Sequence, residues 1–136
     1  MTPEQLMFLA KEAMGHAYAP YSGFYVGAAL LCDDGTVYTG CNIENAAYSP
    51  TNCAERTAFF KAVYDGHRRF TDIAICGGKG GVITNLCTPC GVCRQVMGEF
   101  CGPDFRIHMT DSSGLVQTQT LAQLLPMGFF GGEHLL

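Results

Sequence analysis

The placing of eight cysteines constrains this 136-residue chain more than any other feature. Cys32, Cys41, Cys53 and Cys76 stand apart, while Cys87, Cys90, Cys93 and Cys101 crowd into one stretch. A disulfide framework belongs to short secreted chains. Here the N-terminal apolar stretch is interrupted by Glu4, Lys11 and Glu12, unlike the hydrophobic centre of an export signal, and a cytoplasmic protein with reduced thiols is expected. Clustered reduced cysteines point to a metal or to catalysis.

Patterning predicts how those cysteines are presented. Thr2-Pro3-Glu4-Gln5 forms a capping box with proline at the first helical position, and Leu6, Leu9, Ala10, Ala13 and Ala17 follow at helical spacing to about Tyr18. Phe24 to Cys32 and Thr36 to Asn42 read as two strands joined at Asp33-Asp34-Gly35. A helix is predicted from Ala54 to Tyr64, a buried strand from Thr71 to Cys76, a flexible break at Gly77 to Gly81, and a helix from Gly91 to Phe100. Strands at Phe105 to Met109 and Leu115 to Gln117 precede a last helix from Thr118 to Leu125, stopped by Pro126. Five strands with helices returning between them imply an α/β fold, a three-layer α/β/α sandwich on a mixed sheet. No linker or second core divides the chain, so one domain over residues 1–136 is expected.

This layout places Cys53 at the start of one helix and the Cys90-x-x-Cys93 pair across the start of another. Two helices on one sheet face can aim their N-termini at a common point. Each carries roughly half a positive charge there, which favours thiolate over thiol. Three protein ligands plus an open position is how a catalytic zinc is built, whereas a structural zinc takes four. Cys87 is the candidate fourth ligand, and with it the chain would be a zinc-stabilised module without activity. Zinc with three thiolates keeps an excess negative charge, which Arg56 and the helix dipoles would offset. Glu55, two residues after the first ligand, suits a proton acceptor beside a metal-activated water, or else a first-turn acid favoured by the helix dipole. The remaining thiols, Cys32, Cys41, Cys76 and Cys101, lie in apolar segments and read as small buried hydrophobes. His16, His67, His108 and His134 lack ligand spacing with the cysteines and read as surface or packing residues.

Cys53-Ala54-Glu55 followed by Pro89-Cys90-Gly91-Val92-Cys93 resembles the zinc-dependent nucleoside and nucleobase deaminases. Tyr21-Ser22-Gly23-Phe24-Tyr25-Val26-Gly27-Ala28-Ala29, Gly40-Cys41-Asn42-Ile43-Glu44-Asn45-Ala46-Ala47-Tyr48 and Leu124-Leu125-Pro126 narrow the likeness to the small homotetrameric cytidine deaminases. That resemblance implies zinc held by Cys53, Cys90 and Cys93, with Glu55 as proton shuttle. It implies Phe24 stacking on a pyrimidine, Asn42 and Glu44 on the ribose hydroxyls, and Ala54 at the substrate. It also implies Ala46, Tyr48 and a C-terminal aromatic, Phe129, at a site shared between subunits. Met127-Gly128-Phe129-Phe130 departs from the family's usual ending, so Phe130 competes for that place.

The expected function is hydrolytic deamination of cytidine and deoxycytidine in pyrimidine salvage. A relative acting on another aminopyrimidine is the near alternative. Asn42-Ile43-Glu44 favours an unphosphorylated ribose, because a carboxylate repels a phosphate. A net charge of -4 without a basic stripe argues against stable nucleic-acid binding. No apolar run approaches the roughly 18 residues of a membrane span. Gly77-Gly78-Lys79-Gly80-Gly81 lacks the Gly-Lys-Ser/Thr continuation of a phosphate loop, and no role is assigned to residues 77–86.

Overall fold

The computed structural model describes residues 1–130, and His134 lies outside them. Its elements are α1 (Pro3–Met14), β1 (Phe24–Cys32), β2 (Val37–Cys41), α2 (Ala54–Tyr64), β3 (Phe70–Lys79), α3 (Gly91–Phe100), β4 (Arg106–Thr110), β5 (Val116–Thr120) and α4 (Leu121–Leu124). The capping box forms as expected: Thr2 Oγ1 accepts from the Gln5 N–H, and Gln5 Oε1 accepts from the Thr2 N–H. The helix it starts ends at Met14, before Ala17, where a turn carries the chain towards the sheet.

The five strands run in the order β2-β1-β3-β4-β5. The helices between strands implied parallel members, and β3–β4 is the one parallel pair among the described strands. Although α2 separates β2 from β3 in sequence, β1 lies between them in space and pairs antiparallel with both. Strand alternation divides the core between two faces. Ala28 and Leu30 of β1, Ile73 and Ile75 of β3, and Ile107 and Met109 of β4 pack with Ala58 and Phe59 of α2 and Met97 of α3. Ala29, Ala74 and Cys76 turn the other way, onto Leu6, Met7 and Ala10 of α1. Thus α2 and α3 share one face, as the metal argument requires. Phe59 anchors that face, with ring centroids 5.1 Å from Phe70 and 6.1 Å from both Phe100 and Phe105.

Two glycines let helices approach the sheet. A Cβ on Gly27 would lie 2.0 Å from the Ala10 carbonyl of α1, and one on Gly40 would lie 2.4 Å from the Ala54 carbonyl of α2. The second contact sets the height of the α2 start, next to Cys53.

The glycines at 77 and 78 are not a flexible break, because β3 continues to Lys79 and pairs Gly77, Gly78 and Lys79 with Val26, Tyr25 and Phe24. Strand pairing uses only the backbone, and the missing side chains admit the Cys87 sulfur at Gly77 and the Val82 carbonyl at Gly78. The last helix is only Leu121–Leu124, because residues 116–120 are taken by β5 as the partner of β4. His108 is more than a packing residue. Its ring lies buried between Asp72 (Nε2 to Oδ2, 2.6 Å) and Thr118 (Nδ1 to Oγ1, 2.7 Å), while Arg106 holds the other Asp72 oxygen at 2.9 Å. Cys32 and Cys76 are buried as expected, while Cys41 and Cys101 are only half-buried.

Gly27→Ala should lower stability by at least about 2 kcal/mol, because backbone rather than a mobile side chain must yield. Gly102→Ala, which meets no neighbouring atom, is the control and should shift the urea midpoint little. Equal midpoints for the two variants would contradict this packing.

Candidate active site

Cys53 is the N-cap of α2 and Cys90 the N-cap of α3. An N-cap side chain normally accepts a backbone N–H of its own helix. Cys53 makes no such bond, and its sulfur instead accepts from Arg56 Nη2 at 3.0 Å and lies 3.8 Å from the Cys90 sulfur. Cys90 caps weakly, accepting from the Cys93 N–H at 3.4 Å, and its sulfur lies 3.4 Å from that of Cys93. The three sulfur atoms all fall within 4.8 Å of one another. Sulfurs bound at about 2.3 Å around a tetrahedral zinc stand about 3.8 Å apart, so the cluster fits that ion with small adjustments.

The electrostatics agree. The Cys53 thiol is pulled down to about 5, first by the hydrogen bond from Cys93 and then, against burial, by the Arg56 guanidinium. The same bond to Cys53 pushes the Cys93 thiol up, so Cys93 keeps a proton that zinc would displace. Glu55 is 4% exposed. Burial pushes its carboxyl up to about 7, and the Cys53 charge adds to the rise. A carboxyl with both protonation states accessible near neutrality can take a proton and return it. Arg56 Nε is buried without a hydrogen-bond partner, and the guanidinium donates through Nη2 to the Cys53 sulfur.

Cys87 does not join the cluster. Its thiol is pushed up to about 12 by burial and then by Glu55, and its sulfur packs beside Gly77. One histidine expectation needs correcting: His67 does gather with Cys32 and Asp34, its Nδ1 standing 3.7 Å from Asp34 Oδ2. Burial, with Asp34 and Asp33, raises the Cys32 thiol to about 11.

The other expected site residues form a polar rim around the start of β1. Phe24 keeps 40% of its surface exposed. Asn42 braces it: Nδ2 donates to the Phe24 carbonyl at 2.8 Å, and Oδ1 accepts from the Val26 N–H at 2.9 Å. Glu44 accepts from the Tyr21 N–H at 3.0 Å, the Ser22 N–H at 3.1 Å and the Ser22 hydroxyl. Tyr48, at a positive φ of 61° in the loop after Glu44, helps line a cavity of about 400 Å³ with Tyr21, Ser22, Glu44, Asn45 and Thr51. Ala46 is exposed on the same loop. Ala54 is fully buried, so its side chain is unavailable to a ligand and only its backbone at the helix start remains. At the C-terminal end the two aromatics part: Phe130 packs on α3 at Gly98, while Phe129 is exposed and its carbonyl accepts from Gln95 Nε2 at 2.7 Å. A larger cavity of about 700 Å³, near Met1, Phe8 and Cys32, contains none of these residues, so chemistry rather than volume locates the site.

Ser22 and Lys79 escaped the sequence reading. Ser22 stood inside the Tyr21 to Ala29 stretch with no role of its own, and the pairing of the segment that holds Lys79 depends on β1, distant in sequence.

Comparison with known proteins places this geometry. The cytidine and deoxycytidylate deaminase zinc-binding region matches residues 1–109. The chain belongs to the cytidine and deoxycytidylate deaminase family. A cytidine deaminase of Sporosarcina psychrophila is 52% identical over 99% of this chain and 96% of its own. The crystal structure of cytidine deaminase from Burkholderia pseudomallei superposes with a TM-score of 0.87 at 46% identity, covering 95% of this chain and all of that one. That from Mycobacterium tuberculosis gives 0.81 at 38%, covering 95% and 98%. The α/β fold with a mixed five-stranded sheet is thus that of cytidine deaminases, and the metal of this deaminase site is zinc.

Purified protein should hold one zinc per chain by elemental analysis, and Cys87→Ser should hold the same amount. Loss of zinc from Cys87→Ser would show that Cys87 is a ligand.

Proposed function

We propose that this protein deaminates cytidine and deoxycytidine by hydrolysis, giving uridine, deoxyuridine and ammonia. The observation that carries the reading is buried Glu55 beside three thiols gathered at two helix N-termini, with Arg56 bonded to one of them. Bound zinc, held by Cys53, Cys90 and Cys93, supplies a Lewis acid that makes a water nucleophilic at neutral pH.

Glu55 takes a proton from the attacking water and delivers it to N3 of the pyrimidine as the oxygen bonds to C4. It then takes the remaining hydroxyl proton and passes it to the exocyclic amine. The C4–N bond breaks, ammonia leaves, and C4 becomes a carbonyl. One water is consumed, and Glu55 ends as it began.

The surrounding residues hold the substrate. Phe24 offers an aromatic face to the base. Asn42 retains one amide hydrogen for a ribose hydroxyl, since its other one bonds to Phe24. Glu44 accepts three bonds from Tyr21 and Ser22, leaving about one lone-pair position for a second hydroxyl. Ala54 serves through its N–H, which has no partner within the helix at that position.

The chain is a single domain acting as a homotetramer, with Ala46, Tyr48 and Phe129 reaching a neighbour's site. Exposure of Tyr48 at 75% and Phe129 at 53% supports this arrangement. Its place is pyrimidine salvage in the cytoplasm, acting on small nucleosides rather than nucleic acid. The net charge of -4 and the carboxylate at Glu44 favour an unphosphorylated substrate.

The test follows the ultraviolet absorbance of cytidine with zinc-loaded protein and identifies the product. Conversion to uridine that stops on zinc removal is expected, and no conversion by folded, zinc-loaded protein would reject the proposal. Glu55→Gln should lower kcat by at least about 100-fold while zinc content and thermal midpoint hold. Collapse of the fold would instead make Glu55 a structural acid. Arg56→Ala removes a cation that favours the ionised forms around it, so the acid limb of the kcat/KM profile should move to higher pH. An unmoved limb would remove that role from Arg56.

A further inference from the structure

The segment from Gly77 onward, for which the sequence offered no role, ends a strand directly behind the rim of the site. Lys79 is the last residue of β3 and pairs in register with Phe24. Its side chain crosses Gly23, where a Cβ would lie 3.6 Å from the lysine Cε, and its ammonium donates to the Ser22 carbonyl at 2.6 Å. Gly23 itself needs a positive φ of 66°, and its carbonyl accepts from the Gly80 N–H at 2.8 Å. Two bonds from the 79–80 corner therefore fasten the 22–23 turn.

Ser22 is the hub of that turn. Its N–H and hydroxyl both donate to Glu44, its hydroxyl oxygen accepts from the Phe24 N–H at 3.0 Å, and its carbonyl accepts from Lys79. Of these partners only Lys79 comes from another strand of the sheet. The bonds from Ser22, first its hydroxyl and then its N–H, hold the Glu44 carboxyl below the usual range, and the Lys79 charge adds to them. An aliphatic residue at 79 would leave the Ser22 carbonyl to water and the turn without its side-chain anchor.

We propose that Lys79 is a positioning residue for nucleoside binding: through Ser22 it fixes the Glu44 carboxylate that receives a sugar hydroxyl. This rests on the proposed nucleoside chemistry of the site and deepens it, by assigning the recognition of the sugar in part to a strand end outside the cysteine motifs of the metal centre. Lys79 does not touch the reacting atoms, so its effect belongs in substrate affinity rather than in the chemical step.

The experiment is steady-state kinetics of the zinc-loaded protein on cytidine and on 2′,3′-dideoxycytidine, which lacks the hydroxyls that Glu44 would bind. Lys79→Met should raise KM for cytidine about three- to tenfold, as expected for one lost charge-assisted hydrogen bond, with kcat within about twofold. KM for the dideoxy substrate should stay unchanged, and Lys79→Arg should restore most of the affinity for cytidine. In a Glu44→Gln background, Lys79→Met should add little, because both changes act on one contact. An unchanged KM for cytidine in Lys79→Met, an equal rise for both substrates, or full additivity with Glu44→Gln would each overturn the proposal. Absence of turnover in the unaltered protein would instead reject the nucleoside chemistry itself, so the two failures are distinguishable.

Discussion

The positive ends of two helices meeting at three sulfur atoms are the constraint on which the rest depends. Three thiolates around a divalent zinc carry an excess negative charge, which positive helix ends and a nearby cation offset. Here α2 and α3 begin at the cluster, and Arg56 adds a full positive charge at 3.0 Å from the Cys53 sulfur. The convergence is a product of packing. Both helices lie on the face of the sheet built around Phe59, and Gly40 lets the start of α2 sit against β2. A bulkier residue there would lift Cys53 away from Cys90.

The polar rim follows a different logic, because it rests on strand ends rather than helix ends. Asn42 ties the end of the β1–β2 hairpin to Phe24 and Val26, and Glu44 is held by the backbone of Tyr21 and Ser22. These polar side chains spend most of their hydrogen-bonding capacity on the protein. That leaves each with few free positions, and those few are fixed in direction. Such preorganisation limits the ordering that binding would otherwise require.

Much of this was legible in the sequence, for identifiable reasons. The Thr2–Gln5 capping box and the β1 span are local signals, and the structure keeps both. The helix starts at Ala54 and Gly91 are legible too, and they suffice to bring the three thiols together. What stayed hidden depended on partners distant in sequence. Glycines at 77 and 78 look like a break until Phe24 to Val26 are seen to pair with that stretch. His108 reads as a lone histidine until the parallel β3–β4 pairing brings Asp72 beside it, and His67 until Asp34 and Cys32 fold towards it. The short α4 was overestimated because β5 claims its first residues by pairing with β4, which helical spacing alone does not reveal.

X-ray absorption at the zinc edge tests the central claim most directly. Three sulfurs at about 2.3 Å with one nitrogen or oxygen at about 2.0 Å is the predicted first shell. Four sulfurs would mean that Cys87 or another thiol closes the site, and the account of two helix ends presenting a catalytic zinc beside Glu55 would be contradicted.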